Sequence, residues 1–503
     1  MSDLGKKIGK EWNMNADEIK KRLVAILGEE RVKTDNETLE KYSKDMTEAP
    51  EARPGFVVFP QTTEEVAAIV KLANEAKLPL TPRVAGTNLG GLTIPSPGGC
   101  VIDLTQMNRV LEVNPSERYA IIEPGVTFEG IKKHLDENRY DLVIGYPLSP
   151  PWTSVVANCL LDGLGNLSFR YGTMAEWING IEAVLPTGEV IKAGSCALSP
   201  LWFNRAPMPD LVGLFVSWQG TTGIVTKMAV QLWPRRAERL RTFIMFYTWK
   251  EAFEMLARFA RYNIYDDIGG LSWVTSKLLF KIEKPGPKDP NEPIFFLYLD
   301  ISAEDKEELN LKIKMMNREL ERGRDQGMQI ESPMEVKTLT SINPDFEKFA
   351  EFPTYLDFLI ETKGQGLTWV GTYGPIARLA EGAEKCEKIM WAHGFPPTLV
   401  IRPMKGGHYA VLRCITIFDR SDPEDRKRAA AVNAALCDQV LELGYIPYKA
   451  PAWAVRKFLP RLDQGYLHTL QRIKDLLDPN GIMNPGKWLL GTEELKQALK
   501  TRE

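Results

Sequence analysis

The stretch of sequence that decides the fold is Pro82-Arg83-Val84-Ala85-Gly86-Thr87-Asn88-Leu89-Gly90-Gly91. Its three glycines allow backbone N–H groups to turn inward and to approach an anion closely. The stretch has neither the GKS/T ending of a Walker loop nor the GxGxxG of a Rossmann fingerprint. Taken alone it predicts a tight turn, and its surroundings decide whether that turn binds a phosphate.

The segments before this loop have the pattern of a strand, a helix and a second strand. FVVFP (56–60) predicts a short buried strand. QTTEEVAAIVKLANEAK (61–77) has apolar residues at helical spacing, with the threonine at 62 or 63 as its N-cap. LPLTPRV (78–84) predicts a second strand, which ends at the loop. Short apolar runs continue this alternation to residue 234, so the first half of the chain is predicted to be α+β.

The second half, from Arg235 to Gly444, has longer apolar runs. TFIMFYTW, PIFFLYLDIS, TWVGTYG and YAVLRCITIF predict strands, and SAEDKEELNLKIKMMNRELERG predicts a charged helix. This pattern is typical of an antiparallel sheet with helices on one side. A final segment, 445–503, contains the predicted helix YLHTLQRIKDLL and the stop DPNGIMNPGKW. Residues 1–55 are predicted to form a helical arm followed by a polar loop.

Composition excludes several classes of function. The chain has 63 Lys and Arg against 66 Asp and Glu, a net charge of −3, which gives no electrostatic footprint for nucleic acid or an anionic membrane. No apolar run approaches the roughly 18–20 residues needed to span a bilayer, and the N-terminus lacks the apolar core of a signal peptide. The six cysteines have no CxxC spacing and there are only four histidines, so no metal site is predicted. We therefore expect a cytoplasmic protein of two or three lobes.

Further glycine-containing motifs follow the loop in a characteristic order. They are Ile122-Glu123-Pro124-Gly125-Val126-Thr127, Ala157-Asn158 with Gly163 and Gly165, Arg170-Tyr171-Gly172-Thr173, and Gln219-Gly220-Thr221-Thr222-Gly223-Ile224-Val225-Thr226. In this order and spacing, residues 56–234 resemble the FAD-binding domain of the vanillyl-alcohol oxidase / p-cresol methylhydroxylase family. The resemblance implies an α+β fold of two lobes, in which 235–444 form a cap or substrate domain on an antiparallel sheet. Asp478-Pro479-Asn480-Gly481-Ile482-Met483-Asn484-Pro485-Gly486-Lys487 resembles the family's closing motif, with which 445–503 would return to the FAD-binding domain.

The resemblance also implies where FAD would be bound. The 82–91 loop would wrap the pyrophosphate, the 158–165 segment would line the flavin, and the 220–225 segment would meet the adenosine end. Glycine-rich backbone can contact phosphates and a planar ring without obstruction by side chains. Some members bind FAD covalently through a histidine near His408, and others through a tyrosine that falls at Pro397, so covalent attachment stays open. The candidate FAD-binding residues are Pro82, Arg83, Val84, Ala85, Gly86, Thr87, Asn88, Leu89, Gly90, Pro124, Gly125, Asn158, Gly163, Gly165, Tyr171, Gly172, Gly220, Gly223, Ile224, Val225, Asn484, Lys487 and His408.

Two branches of the family compete for the substrate, because fold alone does not determine it. The stretch 57–91 and the run Tyr171-Gly172-Thr173 resemble the 2-hydroxy-acid dehydrogenases of the D-lactate and glycolate type. The HxxxxxH-type site and the late Glu-His-Gly of that branch are absent here. The segments 368–375, 418–429 and 444–449 resemble the branch that acts on para-substituted phenols.

The candidate catalytic residues come from this comparison. In the phenol branch a Tyr-Arg pair binds the phenol oxygen together with a tyrosine from the phosphate loop; here the pair is Tyr448-Lys449 and the loop residue is Leu89. A lysine can still stabilise a phenolate or a carboxylate as a point charge. The acidic residue that the family places beside the flavin falls at Thr173, which cannot act as a carboxylate base. For a hydroxy acid, Lys449 or Arg402 would pair with the carboxylate.

We therefore expect hydride transfer from a para-substituted phenol or related aromatic alcohol to flavin N5, with a 2-hydroxy acid as the alternative substrate. A hypothesis of another class is a non-catalytic flavoprotein subunit of an electron-transfer complex. The chain has no cysteine cluster for a second redox centre, so electrons would leave to a cytochrome, an electron-transfer flavoprotein or O2. A homodimer or larger assembly is expected. Aromatic candidates for the substrate pocket are Trp152, Trp369, Tyr373 and Trp453.

Overall fold

The computed structural model describes residues 13–279, 282, 285–342, 344 and 364–500. The strands are, in chain order, β1 (Val32–Lys33), β2 (Phe56–Val58), β3 (Leu80–Arg83), β4 (Cys100–Asp103), β5 (Val110–Asn114), β6 (Tyr119–Ile122), β7 (Leu142–Val143), β8 (Ile178–Val184), β9 (Val190–Gly194), β10 (Ile224–Gln231), β11 (Trp233–Pro234), β12 (Glu238–Phe246), β13 (Asp267–Ser272), β14 (Phe295–Ala303), β15 (Met334–Glu335), β16 (Gln365–Gly374), β17 (Thr398–Met404), β18 (Tyr409–Asp419) and β19 (Ile446–Pro447).

The α-helices alternate with these strands. They are, in chain order, α1 (Ala16–Leu27), α2 (Asn36–Lys41), α3 (Thr63–Ala76), α4 (Phe128–Glu137), α5 (Val155–Leu160), α6 (Ser168–Tyr171), α7 (Trp249–Ala260), α8 (Trp273–Leu279), α9 (Lys306–Asp325), α10 (Val336–Ile342), α11 (Leu379–Ala392), α12 (Pro423–Glu442), α13 (Ala452–Phe458), α14 (Gln464–Leu477) and α15 (Glu493–Lys500). No helix within the described ranges is long and apolar enough to cross a membrane.

The first sheet has the order β1-β2-β4-β3 and is parallel apart from β1. The predicted helix α3 begins after Thr62, whose side chain accepts a hydrogen bond from the Glu65 N–H. Its apolar face packs with α1 over this sheet, in a core that includes Ile19 and Val66. The predicted arm 1–55 therefore supplies an edge strand, β1, as well as helices, while its first twelve residues lie outside the described ranges.

The second sheet is antiparallel and has the order β5-β6-β10-β8-β9. Strand β8 is buried at all seven positions, although it contains Asn179 and Glu182. The buried Glu182 carboxylate accepts a hydrogen bond from Thr63 and pairs with Lys227. Helices α4 and α5 pack against the sheet, around a core that includes Phe128 and Trp177. The connections that leave the first and second sheets carry the glycine-rich motifs.

The third sheet consists of β7 and β11 alone, and the fourth is an eight-stranded antiparallel sheet of order β15-β12-β14-β13-β17-β18-β16-β19. Helices α7, α9, α11 and α12 cover one face of this large sheet, so the predicted antiparallel sheet of the second half is confirmed. Because side chains alternate along a strand, the opposite face presents a second set of residues, which includes Trp369 and Val411. This opposite face packs against Leu339 of α10, so helices are not confined to one side of the sheet as predicted, and against Leu89, Leu148 and Leu164 from the first half of the chain.

The C-terminal segment returns to the first sheet at β3. The Leu80 N–H donates to the Ile482 carbonyl at 2.8 Å, and the Asn484 N–H donates to the Leu80 carbonyl at 2.8 Å. The Asp478 carboxylate accepts from the Ile482 and Met483 N–H groups and from Lys474. Lys474, which is 2 % exposed, also donates to the Thr221 and Met483 carbonyls. Burial lowers the pKa of Lys474, and Asp478 opposes that change. This buried ion pair, here called the clasp, fixes the C-terminal segment against the 219–225 segment.

This clasp generates a prediction about stability. Asp478→Ala would leave a buried ammonium without its carboxylate and two backbone N–H groups without acceptors, so we expect a loss of about 3 kcal/mol in the free energy of unfolding. Thermal or urea denaturation of the FAD-loaded protein measures the loss. Asp475, an exposed acid in the last turn of α14, is the matched control. Asp475→Ala removes the hydrogen bond from Gln471, so it should change stability by no more than about 1 kcal/mol. Equal effects of the two variants would contradict the role of the clasp.

Candidate active site and cofactor cavity

A cavity of about 260 Å³, partly open to solvent, lies where the glycine-rich connections meet the face of the eight-stranded sheet that carries Trp369. Most of its wall comes from the loop after β3, the segments 147–164 and 219–225, strands β16 and β18, and the pair Tyr448-Lys449. Leu104, Pro124 and Asn484 complete the wall.

The loop after β3 forms one end of the cavity, with residues 82–89 in its wall. Gly86 has φ +70°, and a Cβ there would stand 2.5 Å from the Arg83 guanidinium. Arg83 lies 4.6 Å above the ring of Tyr42, and its buried Nη1 has no hydrogen-bond partner in the described part of the protein. The Thr93 hydroxyl, also in this wall, is buried without a partner. A bound diphosphate would satisfy both groups, because a guanidinium and nearby backbone N–H groups bind phosphate oxygens.

The segment 219–225 borders the same loop. A Cβ on Gly220 would stand 2.9 Å from the Pro82 ring, so the two segments can approach this closely only because residue 220 is glycine. Gln219 donates through Nε2 to the Ala450 carbonyl at 2.9 Å, while its buried Oε1 has no partner among the described residues. An unpaired acceptor in the wall suits a hydroxyl or amino group of a nucleoside. Together with Arg83, these groups fit FAD, which carries a diphosphate next to an adenosine.

Lys449 lies in the cavity wall. Its Nζ lies 3.1 Å from Asn158 Oδ1 and 5.8 Å from the centre of the Trp369 ring. Burial, and then the neighbouring charge of Arg413, lowers the pKa of Lys449 to about 7. This lysine therefore changes its charge near neutral pH, whereas an ordinary lysine does so near pH 10.4.

Thr173 does not line the cavity, but it donates a hydrogen bond from its hydroxyl to Asp162 Oδ1 at 2.5 Å. Burial raises the pKa of Asp162, while Thr173 and Lys449 oppose that change. The family motif places an acidic residue at position 173. Here the residue is Thr173, and the acid is Asp162, which is hydrogen-bonded to it. The sequence reasoning missed Asp162 because only the asparagine and the glycines of its segment matched a motif. Its left-handed φ of +50° is a conformation in which aspartate is enriched.

The aromatic end of the cavity is built on β16 and β18. Arg413 pairs with Gly371 across these strands, and the Tyr448 N–H donates to the Gly371 carbonyl at 3.1 Å. A Cβ on Gly371 would stand 3.0 Å from the Tyr448 ring, so the missing side chain makes room for Tyr448 beside Arg413. Arg413 donates to the Tyr448 hydroxyl at 2.6 Å and stacks 4.5 Å above the Trp369 ring. Arg413 was missed from the sequence, although a charged residue within the apolar run YAVLRCITIF is a detectable signal.

Three of the four aromatic candidates lie outside the cavity wall, and only Trp369 is part of it. Tyr373 stacks directly on Tyr448, with ring centres 4.4 Å apart, and its hydroxyl donates to the Asp162 carbonyl at 2.6 Å. Trp152 is 42 % exposed, and Trp453 packs against the hydrophobic cores of α12 and α13.

Fifteen of the candidate FAD-binding residues and two of the four catalytic candidates lie in the cavity wall. Eight FAD-binding candidates and the catalytic candidates Thr173 and Arg402 lie outside it. Those in the wall are Pro82, Arg83, Val84, Ala85, Gly86, Thr87, Asn88, Leu89, Pro124, Asn158, Gly220, Gly223, Ile224, Val225 and Asn484, with the catalytic candidates Tyr448 and Lys449. Those outside it are Gly90, Gly125, Gly163, Gly165, Tyr171, Gly172, Lys487 and His408.

Several of the residues outside the wall have other contacts. Arg402 is 1 % exposed and pairs with Asp267 at 2.6 Å, so its charge is already neutralised and the structure does not support a carboxylate-binding role for it. His408 lies on an exposed turn, which gives no support for a covalent link to FAD. Lys487 donates to the Gly91 and Ile94 carbonyls and so holds the phosphate loop from outside the cavity.

The sequence matches two protein families, one in each half of the chain. Residues 54–194 match the FAD binding domain family, and residues 288–488 match the C-terminal domain of FAD linked oxidases. The chain is an FAD-linked oxidoreductase of this superfamily.

Three known proteins show how the oxidoreductase relates to other members. It is 28% identical over 440 residues to the mitochondrial D-lactate dehydrogenase [cytochrome] of Arabidopsis thaliana, covering 86% of this chain and 73% of that protein. It is 26% identical over 508 residues to the 4-cresol dehydrogenase [hydroxylating] flavoprotein subunit of Pseudomonas putida, covering 92% and 93%. The crystal structure of p-cresol methylhydroxylase with substrate bound has the same fold, with a TM-score of 0.83 at 20% identity over 94% of this chain and 96% of that one.

The geometry of the phosphate loop generates a prediction about FAD binding. Gly86→Ala should weaken FAD affinity about tenfold or more, because its Cβ would displace the Arg83 guanidinium. The ratio of flavin absorbance to protein, measured across an FAD titration, gives the affinity.

Gly28 is the matched control for backbone strain. It has φ +83° and open space around its Cβ position, so Gly28→Ala also strains a positive φ but makes no contact with Arg83. Equal loss of FAD in both variants would assign the effect to strain alone. A wild-type chain that binds no flavin at saturating FAD would contradict the FAD site itself.

Proposed function

We propose that this FAD-linked oxidoreductase removes a hydride from a para-substituted phenol or a related aromatic alcohol. The observation that carries the proposal is the cluster of Tyr448, Lys449 and Arg413 at the aromatic end of the cavity. When bound, FAD supplies the hydride acceptor. The residues of the chain bind the substrate oxygen and orient the ring.

The chemistry of the cluster matches the needs of such a substrate. Loss of a hydride from the benzylic carbon becomes easier when the phenol oxygen is an anion, because its electrons move into the ring to give a quinone methide. A hydroxyl donor and fixed cations at that oxygen stabilise the anion and lower the pKa of the phenol. Tyr448 supplies the hydroxyl, while Arg413 and Lys449 supply the charges. Leu89 and Trp369 give the wall apolar surfaces for an aromatic ring. Water can then add to the quinone methide, so a hydroxylated product needs no O2.

The relatives support this proposal unequally. The similarity to 4-cresol dehydrogenase extends over 93% of that protein, and we propose that Tyr448 has the role of the tyrosine in the phenol-binding motif. The alternative substrate is a 2-hydroxy acid, which the similarity to D-lactate dehydrogenase and the positive charge of the cluster favour. We also propose an external electron acceptor, which is a cytochrome, an electron-transfer flavoprotein or O2, and a cytoplasmic homodimer or larger assembly.

An anaerobic reduction screen tests the proposed function. Holoenzyme is mixed with 4-alkylphenols, vanillyl-type alcohols, their O-methyl ethers, D-lactate and glycolate, and the loss of oxidised-flavin absorbance is followed. We expect the phenols to bleach the flavin and the O-methyl ethers to be inert, because an ether oxygen cannot become an anion. Rapid bleaching by a 2-hydroxy acid with inert phenols would reverse the assignment. Absence of bleaching by every compound would favour a non-catalytic flavoprotein subunit.

Lys449 gives the reaction a predicted pH dependence. With a pKa of about 7, Lys449 is charged below that pH and neutral above it. At a fixed concentration of substrate anion, flavin reduction should therefore slow as pH rises through about 7. The Lys449→Arg variant keeps its positive charge above this pH, so it should remain active and its rate of flavin reduction should not fall as pH rises through about 7.

Lys449→Met removes the charge at every pH. Loss of one charge-assisted contact costs about 2–3 kcal/mol, so reduction should slow roughly thirty- to a hundredfold while FAD content stays near that of the wild type. Stopped-flow reduction gives the rates, and flavin absorbance gives the FAD content. An unchanged rate with the true substrate would place Lys449 outside the reaction.

A further inference from the structure

Arg413 differs from other buried arginines of the eight-stranded sheet in what surrounds its charge. Arg241 lies 2.7 Å from Asp300, and Arg402 lies 2.6 Å from Asp267. Arg413 is 7 % exposed, and within the described part of the protein no carboxylate lies within 4.0 Å of it. Its buried Nε has no hydrogen-bond partner there either. A buried charge without a counter-charge is costly, and an anion that entered the adjacent cavity would remove that cost.

The bond from Arg413 to Tyr448 determines what the tyrosine can do. A guanidinium has only N–H donors, so the Tyr448 oxygen must accept in the 2.6 Å hydrogen bond. The hydroxyl hydrogen of Tyr448 is then left to be donated to another group. No described residue accepts it, and both Tyr448 and Arg413 lie in the cavity wall. The free hydrogen is therefore available to a molecule in the cavity.

Two neighbours hold Arg413 in this position. Its guanidinium stacks on the Trp369 ring at 4.5 Å, and Gly371, opposite Arg413 in the strand pairing, leaves the space that Tyr448 fills. A planar guanidinium is suited to this arrangement because it can stack and donate in its own plane at the same time. The other charged groups near Tyr448 are Lys449, whose Nζ lies 5.7 Å from the centre of the Tyr448 ring, and Asp162 and Arg402. Arg402 is neutralised by Asp267.

We infer that Arg413 is the positioning residue of the site: it holds the Tyr448 hydroxyl as a donor to the anionic oxygen of the substrate and supplies a positive charge that this anion neutralises. The inference rests on the proposed function, since it takes the anion to be a phenolate. Arg413 acts through Tyr448, so its removal should change the ionisation of a bound phenol before it changes FAD binding.

The test measures the pKa of a phenol bound to the holoenzyme. 4-Nitrophenol has no benzylic hydride to lose, and its anion is coloured, so difference spectra across a pH series report the pKa of the bound molecule. In the wild type this pKa should lie below that of free 4-nitrophenol. Arg413→Met should raise it by about one unit or more, and Arg413→Lys, which keeps a charge, should give an intermediate value. With the true phenol, the pH profile of flavin reduction should move in the alkaline direction by the same amount.

Controls separate this inference from the proposed function and from misfolding. Arg241→Lys alters a buried arginine of the same sheet outside the cavity and should leave the pKa of bound 4-nitrophenol unchanged. If Arg413→Met does not retain FAD, Arg413→Gln replaces it as the neutral variant. A wild type that binds no 4-nitrophenol and is not reduced by any phenol would contradict the proposed function. A wild type that lowers the pKa, with neutral Arg413 variants that lower it equally, would overturn the inference and leave the proposed function standing.

Discussion

The backbone carbonyl of Lys449 lies against Gly90, only 2.5 Å from where a Cβ would stand. This approach joins the loop that would hold the FAD diphosphate to the pair that would hold the substrate oxygen. The sequence argument explained the glycine by the approach of a phosphate, but at this position the approaching group is the protein's own backbone. A side chain here would push the two ends of the site apart, and a misplacement of about 1 Å can cost an enzyme a hundredfold in rate. Lys487 holds the same loop from its other side through two carbonyl groups.

The cavity wall is positively charged at both ends, which matches the two anions that the proposed reaction needs. Arg83 stands at the diphosphate end, and Lys449 and Arg413 stand at the aromatic end. The acids near them, Asp103 behind Arg83 and Asp162 behind Lys449, are not part of the wall. Positive charges in a low-dielectric cavity act strongly on an anion and need little reorganisation during the reaction. The same burial lowers the pKa of Lys449, so ligand binding and its protonation are coupled.

The sequence predicted most of the fold and part of the site, for physical reasons that differ between residues. Strand β2 and helix α3 can be predicted from the local apolar pattern and the N-cap threonine. The FAD-binding motifs can be recognised by their glycines, which allow the backbone to approach a ligand closely. Arg413 and Asp162 were not found in this way, although the charge of Arg413 within an apolar run was a detectable signal. Arg413 reaches the site through the pairing of β16 with β18, and Asp162 reaches it through a turn. Neither feature produces a recognisable residue spacing in the sequence. Arg402 shows the opposite case, because a buried arginine near the site looks available until its partner Asp267 is located.

The position of Arg413 also bears on which anion the site suits. An arginine binds a carboxylate best with two parallel N–H groups of its fork. Here one Nη2 hydrogen of Arg413 already donates to Tyr448, so the fork to which that hydrogen belongs has one N–H group fewer for a carboxylate. The Tyr448 hydroxyl and Lys449 remain free to donate to a single oxygen atom, as in a phenolate, whose aromatic ring would meet Trp369. The sign of the charge would suit either substrate, so the preference for a phenol in the proposed function rests on the geometry of these donors.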